Sequence, residues 1–102
     1  QTLVCDFNLI DNLDLSGNPG LTNLNCLRNQ LTTLDLSNNL FLATVSCGEN
    51  QITILDMSML DLEVLQCQYN QITNINLYGN YYTYFKKQMK IKLLMLIVFC
   101  RM

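Results

Sequence analysis

Apolar residues recur along the chain in a pattern that repeats about every twenty residues. The stretch from residue 21 reads LTNLNCLRNQLTTLDLSNNLF, and the next two stretches read LATVSCGENQITILDMSMLD and LEVLQCQYNQITNINLYGN. Residues 3–20 form an earlier copy that lacks its start. A fixed period of this length, with aliphatic positions three and two apart, is typical of stacked coils that bury their apolar sides against one another. The pattern predicts an all-β-like repeat solenoid of about four coils.

Each copy contains two half-repeats of the form LxxLxCxxNQ and LxxLDLSxN. Two apolar residues separated by one polar residue indicate a short strand, so strands are predicted at Leu24–Cys26 and Leu34–Leu36 of the second copy. Corresponding strands of successive coils would pair in parallel about 4.8 Å apart. The prediction is two narrow parallel sheets on opposite sides of a flattened stack, with no regular helices in the repeats, because turn residues interrupt the pattern every ten positions or so.

The repeats are predicted to cover residues 1–80, divided at about 1–20, 21–41, 42–61 and 62–80. Residues 81–102 form a basic and hydrophobic tail whose apolar run, 93–100, would cover only about 12 Å as a helix and so cannot span a membrane. We expect the tail to be a degenerate cap on the last coil, or else the product of a truncated or frameshifted reading frame. The absence of a starting Met fits a fragment or a processed chain.

Charge is unevenly distributed. Residues 1–85 contain all eight acidic residues and one basic residue, Arg28, and so carry a net charge of −7. The other five basic residues lie in the tail, at Lys86, Lys87, Lys90, Lys92 and Arg101. Polyanions bind proteins through clustered cations, so the acidic body argues against a nucleic-acid partner.

Two columns of identical residues run through the copies. One contains Cys5, Cys26, Cys47 and Cys67, and the other contains Asn8, Asn29, Asn50 and Asn70. Each Cys takes an inward slot that Leu takes in the other half-repeat, which favours reduced, buried core thiols over a zinc site or oxidation, since a row of parallel side chains does not converge on a tetrahedron. The Asn column falls where the chain leaves a strand. We expect these amides to bond the turn backbone of their own coil and of the next coil.

A third column places Asp14, Asp35 and Asp56 on the outside of the second half-repeat, in a row about 5 Å apart. Like charges at this spacing repel. A cation such as Ca²⁺ would relieve the repulsion, whereas the simpler interpretation is a solvated acidic stripe whose Ser and Thr neighbours donate hydrogen bonds.

The turn between copies is rich in large apolar residues. These form a candidate partner ridge consisting of Leu40, Phe41, Met59, Leu60, Tyr81 and Tyr82. Contiguous exposed apolar surface often marks a partner site, and Tyr and Phe are frequent at interface hot spots. The alternative is that the hydrophobic tail covers this ridge.

The motif LxxLxCxxNxLxxLDLSxN, over about residues 3–80, resembles the leucine-rich repeat family, in the short bacterial form with 20–21 residue units. Leu60 departs from this motif, because it replaces the Asn of the second half-repeat. The resemblance implies a non-catalytic, cofactor-free module of a bacterial surface or secreted protein. It also implies that a protein or surface ligand binds on the exposed strands. The alternative function is a structural spacer within a larger protein. The chain has no His and no pairing of a nucleophile with a base, which argues against an enzyme.

Overall fold

The computed structural model describes residues 1–76, which form a parallel β-solenoid of about four coils. Six strands of three residues each make up the regular structure. They are β1 (Thr2–Val4), β2 (Asn23–Asn25), β3 (Thr44–Ser46), β4 (Ile54–Asp56), β5 (Val64–Gln66) and β6 (Asn74–Asn76). Residues 1–76 contain no helix, and hence none long and apolar enough to cross a membrane. The predicted fold class is confirmed.

One strand from each coil joins a four-stranded parallel sheet, sheet A, in the order β1-β2-β3-β5. The register is constant, with Leu3, Leu24, Val45 and Leu65 aligned across the sheet. These central residues point inward, and Leu24, Val45 and Leu65 are at most 3% exposed. The apolar position of each first half-repeat therefore sits at the middle of its strand, and the predicted strand at Leu24–Cys26 begins one residue earlier, at Asn23.

The opposite side of the stack is less regular. Sheet B contains only β4 and β6, which pair in parallel. The strand predicted at Leu34–Leu36 is not formed, although both leucines are buried. The second half-repeat of this coil thus buries its leucines as predicted, although its backbone does not form a strand.

A single apolar core lies between the two sides. It contains inward residues of both half-repeats, including Leu15, Leu31, Leu36, Ile52, Leu55 and Ile72. At the N-terminal end of the stack, Leu3, Ile10 and Leu13 are only partly buried against this core. The division of the chain at residue 80 stays a prediction, and the expectations for the tail lie outside the described residues.

Candidate binding surface

The outward face of sheet A is uncharged. Its exposed or half-exposed side chains form two rows across the four strands, Thr2, Asn23, Thr44 and Val64 in one and Val4, Asn25, Ser46 and Gln66 in the other. Two hydrogen bonds link neighbours on this face. Asn23 Nδ2 donates to Thr2 Oγ1 at 3.3 Å, and Ser46 Oγ donates to Gln66 Oε1 at 2.9 Å. The face is a strip of amide and hydroxyl groups with a valine at either end.

A row of large side chains borders this strip, at the turn that follows each strand. It consists of Phe7, Arg28, Glu49 and Tyr69, all exposed and all with a φ between 52° and 59°. The left-handed region is sparsely populated by residues other than glycine. The conformation is held because backbone N–H groups in the row donate to the next coil. The Arg28 N–H bonds to Gly48 O at 2.9 Å, and the Glu49 N–H bonds to Gln68 O at 2.7 Å.

The side chains of this turn row also contact one another. The Arg28 guanidinium lies 5.2 Å from the centroid of the Phe7 ring, and Arg28 Nε is 3.0 Å from Glu49 Oε2. The ion pair neutralises the only basic side chain among residues 1–76. Sequence reasoning missed this row. The signal available was its position, directly before each Asn of the Asn column.

The Asn column bonds the turn of its own coil, as predicted. Its other bonds join the preceding coil, and the prediction that they join the next coil is wrong. Asn50 Nδ2 donates to Cys26 O, Cys47 O and Gly48 O at 3.0–3.1 Å, and its Oδ1 accepts the Leu31 N–H at 3.0 Å. Asn29 and Asn70 bond one coil back in the same way, through Cys5 O and Ile10 N and through Cys47 O and Ile52 N. All three are buried. The amides therefore fasten the turn of one coil onto the coil before it.

Asn8 occupies the same slot but behaves differently, because residues 1–76 contain no coil before it. It is exposed, and its Nδ2 donates only within its own turn, to Cys5 O at 2.9 Å and Asp6 O at 3.1 Å. A position in the Asn column thus predicts the hydrogen bonds within the turn, but not the hydrogen bonds to the preceding coil.

A fourth buried amide, Asn39, lies on the other side of the stack. Its Nδ2 donates to Leu15 O at 3.0 Å and Asn18 O at 2.9 Å, again one coil back. Asn39 Oδ1 is buried and has no hydrogen-bond partner. In the next coil Leu60 fills the equivalent slot and is 2% exposed.

The cysteine column lines the core. Cys5, Cys26 and Cys47 are free thiols. Burial, more than the neighbouring Cys5, raises the pKa of Cys26 to about 12, and burial likewise raises the pKa of Cys47. These two thiols stay protonated and unreactive at neutral pH. Cys67 differs from the expected reduced thiol, because it is disulfide-bonded. A run of equivalent positions therefore did not predict equal oxidation state.

The aspartate column makes a repeated turn. Asp35 Oδ1 accepts from the Ser37 N–H at 2.9 Å and the Ser37 hydroxyl at 2.6 Å, and Asp14 bonds Ser16 at the same distances. These hydrogen bonds, led by that of the serine hydroxyl, hold the pKa of each carboxyl below its usual value, and the neighbouring Asp14 charge partly opposes the effect at Asp35. Asp56 has the same bond from the Ser58 N–H, at 2.8 Å.

The carboxylates of this column show no converging ligand set. A depression of about 50 Å³ lies between Asp35 and Asp56, lined also by Ser37 and Ser58. Within residues 1–76, no three His, Cys, Asp or Glu side chains are grouped closely enough to hold a metal ion. The serine hydroxyls that bond the carboxylates supply the donors that a solvated acidic stripe requires.

The candidate partner ridge is only partly exposed. Leu40, Phe41 and Met59 are 52%, 71% and 63% exposed, respectively. The prediction that Leu60 belongs to an exposed ridge is wrong. Leu60 is buried, at the position in its coil that is equivalent to Asn39. Tyr81 and Tyr82 lie outside the described residues.

Comparison with known proteins adds little beyond the fold. No protein-family model matches the sequence, and no curated protein matches it at a significant level. A solved structure that the chain resembles is the functional domain of InlJ from Listeria monocytogenes, which includes a cysteine ladder. The superposition has a TM-score of 0.48 and 25% sequence identity, and covers 76% of this chain and 25% of that one. This chain therefore spans about a quarter of the length of that structure.

Proposed function

We propose that this chain is a non-catalytic binding module that presents the outward face of sheet A to a protein or surface ligand. The observation that carries the proposal is the contrast between the central residue of each strand of sheet A and the two residues beside it. The central residue is buried, while its neighbours project outward in two aligned rows. A rigid ladder presents these groups in a fixed array, so little conformational entropy is lost when a ligand binds.

The chemistry of the described residues supports binding rather than catalysis. The buried thiols have raised pKa values, and the outward carboxylates accept hydrogen bonds from serines in a turn, not in a cleft. No described side chain is both activated and placed beside a base. The resemblance of the repeat to the short bacterial leucine-rich form further supports a location at a bacterial surface or outside the cell.

Site-specific photo-crosslinking tests the proposal with a matched pair of positions. Val64 and Ile54 are both β-branched, exposed and outward on a strand, but Val64 belongs to sheet A and Ile54 to sheet B. A benzophenone amino acid replaces one or the other in the full chain, which is irradiated with isolated bacterial cell envelopes and with mammalian plasma membranes. We expect discrete adducts from position 64 and far fewer from position 54.

Equal adducts from both positions would contradict a binding role for sheet A. A complete lack of adducts in both fractions would favour the structural spacer.

The exposed pair Leu40 and Phe41 is a second candidate contact for a protein partner. Two adjacent side chains that are more than half exposed provide the kind of apolar surface that protein interfaces bury. Crosslinker placed at Phe41 tests this contact in the same experiment, and adducts to protein from that position alone would move the partner site from sheet A to this turn.

A further inference from the structure

The size of the sheet A strip limits what it can bind. Strands of three residues are about 10 Å long, and four strands span about 14 Å, so the strip covers on the order of 150 Å². A stable protein interface buries about 800 Å² on each partner. The strip is far too small to be a protein interface by itself. A ligand that the strip holds alone is therefore a thin, extended molecule.

The amide groups of the strip are neutral and available. Asn23 Oδ1, Asn25 Nδ2 and Gln66 Nε2 have no hydrogen-bond partner among residues 1–76, although the other end of each amide is bonded. They supply one acceptor and two donors in a fixed arrangement. A charged ligand would lose hydration here without gaining an opposite charge. The strip thus favours an uncharged ligand that both donates and accepts hydrogen bonds.

Aromatic rings stand at both ends of the strip. Phe7 and Tyr69 are 59% and 65% exposed and lie in the first and fourth coils, about 14 Å apart by strand spacing. An aromatic face is apolar and carries a partial negative charge, so it attracts C–H groups of slight positive charge. The flat C–H face of a pyranose ring has this character. The Arg28 guanidinium lies over one face of the Phe7 ring and has its charge paired with Glu49, so a sugar ring would stack on the opposite face.

We propose that the strip binds a neutral oligosaccharide, whose sugar rings stack on Phe7 and Tyr69 and whose hydroxyl groups bond the amides of Asn23, Asn25 and Gln66. The inference rests on the proposed function, in which sheet A is the binding face, and adds the chemical class of the ligand. Such a chain is thin, uncharged, and rich in groups that both donate and accept hydrogen bonds.

Titration of the ¹⁵N-labelled full chain with defined hexasaccharides tests the proposal. The neutral probes are cellohexaose, maltohexaose and chitohexaose, and the anionic control is hexagalacturonate. We expect the side-chain amide signals of Asn23, Asn25 and Gln66 to shift with at least one neutral probe and not with the anionic control. Tyr69→Ala and Phe7→Ala should each weaken binding about tenfold. Tyr69→Phe should retain most of it, because the ring remains.

Ile54→Ala is the matched control, since Ile54 is as exposed as Phe7 but lies on sheet B. Its affinity should equal that of the unmodified chain, and the dispersion of each spectrum shows that the variant is folded. Three results would overturn the proposal: no shift with any neutral probe, equal binding of hexagalacturonate, or full affinity in the Phe7→Ala, Tyr69→Ala double variant.

The crosslinking experiment separates this failure from failure of the proposed function. If no hexasaccharide binds but position 64 yields a discrete protein adduct, the ligand class is wrong and sheet A is still a binding face. If neither experiment gives a signal, both proposals are wrong.

Discussion

The two sides of the solenoid are built from nearly the same half-repeat, yet only one of them forms a continuous sheet. On the side of sheet A, four strands pair without interruption in a constant register. On the opposite side, Leu15, Leu34, Leu36 and Leu55 are buried, but strands pair only between β4 and β6. Burial of a side chain and pairing of its backbone are therefore separable in this fold.

On the second side, the interval along the sequence is different where the strands pair. Leu13, Leu34 and Leu55 are each 21 residues apart, whereas Leu55 and Ile75 are 20 apart. Pairing on the second side occurs only across the shorter interval. The residue that is lost lies in the turn that begins at Leu40 in one coil and at Asp61 in the next. Sheet A has the same intervals, 21, 21 and 20 residues between Leu3, Leu24, Val45 and Leu65, and pairs across all of them, so the interval alone does not set the pairing.

The largest expected effect compares the inward leucines of the two sides. Leu24→Ala and Leu34→Ala should each reduce the free energy of unfolding by about 2–5 kcal/mol, because adjacent coils cannot collapse into the gap. Leu24 should cost more, since it is 1% exposed within a paired strand and Leu34 is 6% exposed in an unpaired segment. Equilibrium denaturation with urea measures both losses.

Thr33→Ala is the control for that comparison. Its side chain is exposed beside Leu34, so its effect should stay below about 0.5 kcal/mol. A loss at Thr33 equal to that at Leu34 would show that the inward and outward assignments of the second side are wrong.

The next effect compares two members of the Asn column. Asn50→Ala removes bonds to Cys26 O and Leu31 N across the coil boundary and should cost about 1–3 kcal/mol, the range for buried polar groups left unpaired. Asn8→Ala loses only bonds within an exposed turn and should cost less than about 0.5 kcal/mol. Thermal melts that show equal losses would remove the distinction between bonds within a coil and bonds between coils.

A smaller effect compares glycines on the two sides. A Cβ at Gly48, after β3, would lie 3.0 Å from Gln68 O and 3.1 Å from Leu27 Cδ1, so Gly48→Ala should destabilise by about 1 kcal/mol through overpacking between coils. A Cβ at Gly17, in a turn on the second side, would meet nothing within 4 Å. Gly17→Ala should therefore be neutral or slightly stabilising. The urea midpoint of unfolding measures both effects. Equal shifts of the midpoint in the two variants would contradict tighter contacts between coils on the side of sheet A.

The smallest effect concerns the carboxylates of the second side. The pKa of Asp35 is lowered chiefly by the Ser37 hydroxyl, so its contribution to stability is complete above about pH 4 and is lost as the pH falls through the lowered pKa. Ser37→Ala should raise the pKa of Asp35 in an NMR titration of the carboxyl carbons. Ser46→Ala, whose hydroxyl bonds the Gln66 amide on sheet A, should leave it unchanged. An Asp35 pKa that is the same in both variants would rule out the serine as the cause.

The candidate site was only partly predictable. The alternation of apolar and polar residues identified the residues of sheet A that face outward, because side chains on a strand alternate between its two sides. It did not identify the turn row, since the contacts of Arg28 with Phe7 and Glu49 join residues 21 positions apart. The burial of Leu60 was also missed, because an apolar residue in an asparagine slot is compatible with either a surface ridge or the core.

The sequence by itself determined the parallel stack of coils, the inward position of the leucines at the centre of each half-repeat and the Asn that follows each strand of sheet A. These properties are local to one coil and follow from periodicity and residue type. Tertiary structure alone decided which side forms a continuous sheet, and that Asn50 is bonded across coils while Asn8 is not. Both outcomes depend on bonds to a neighbouring coil, and no pattern within a single repeat contains that information.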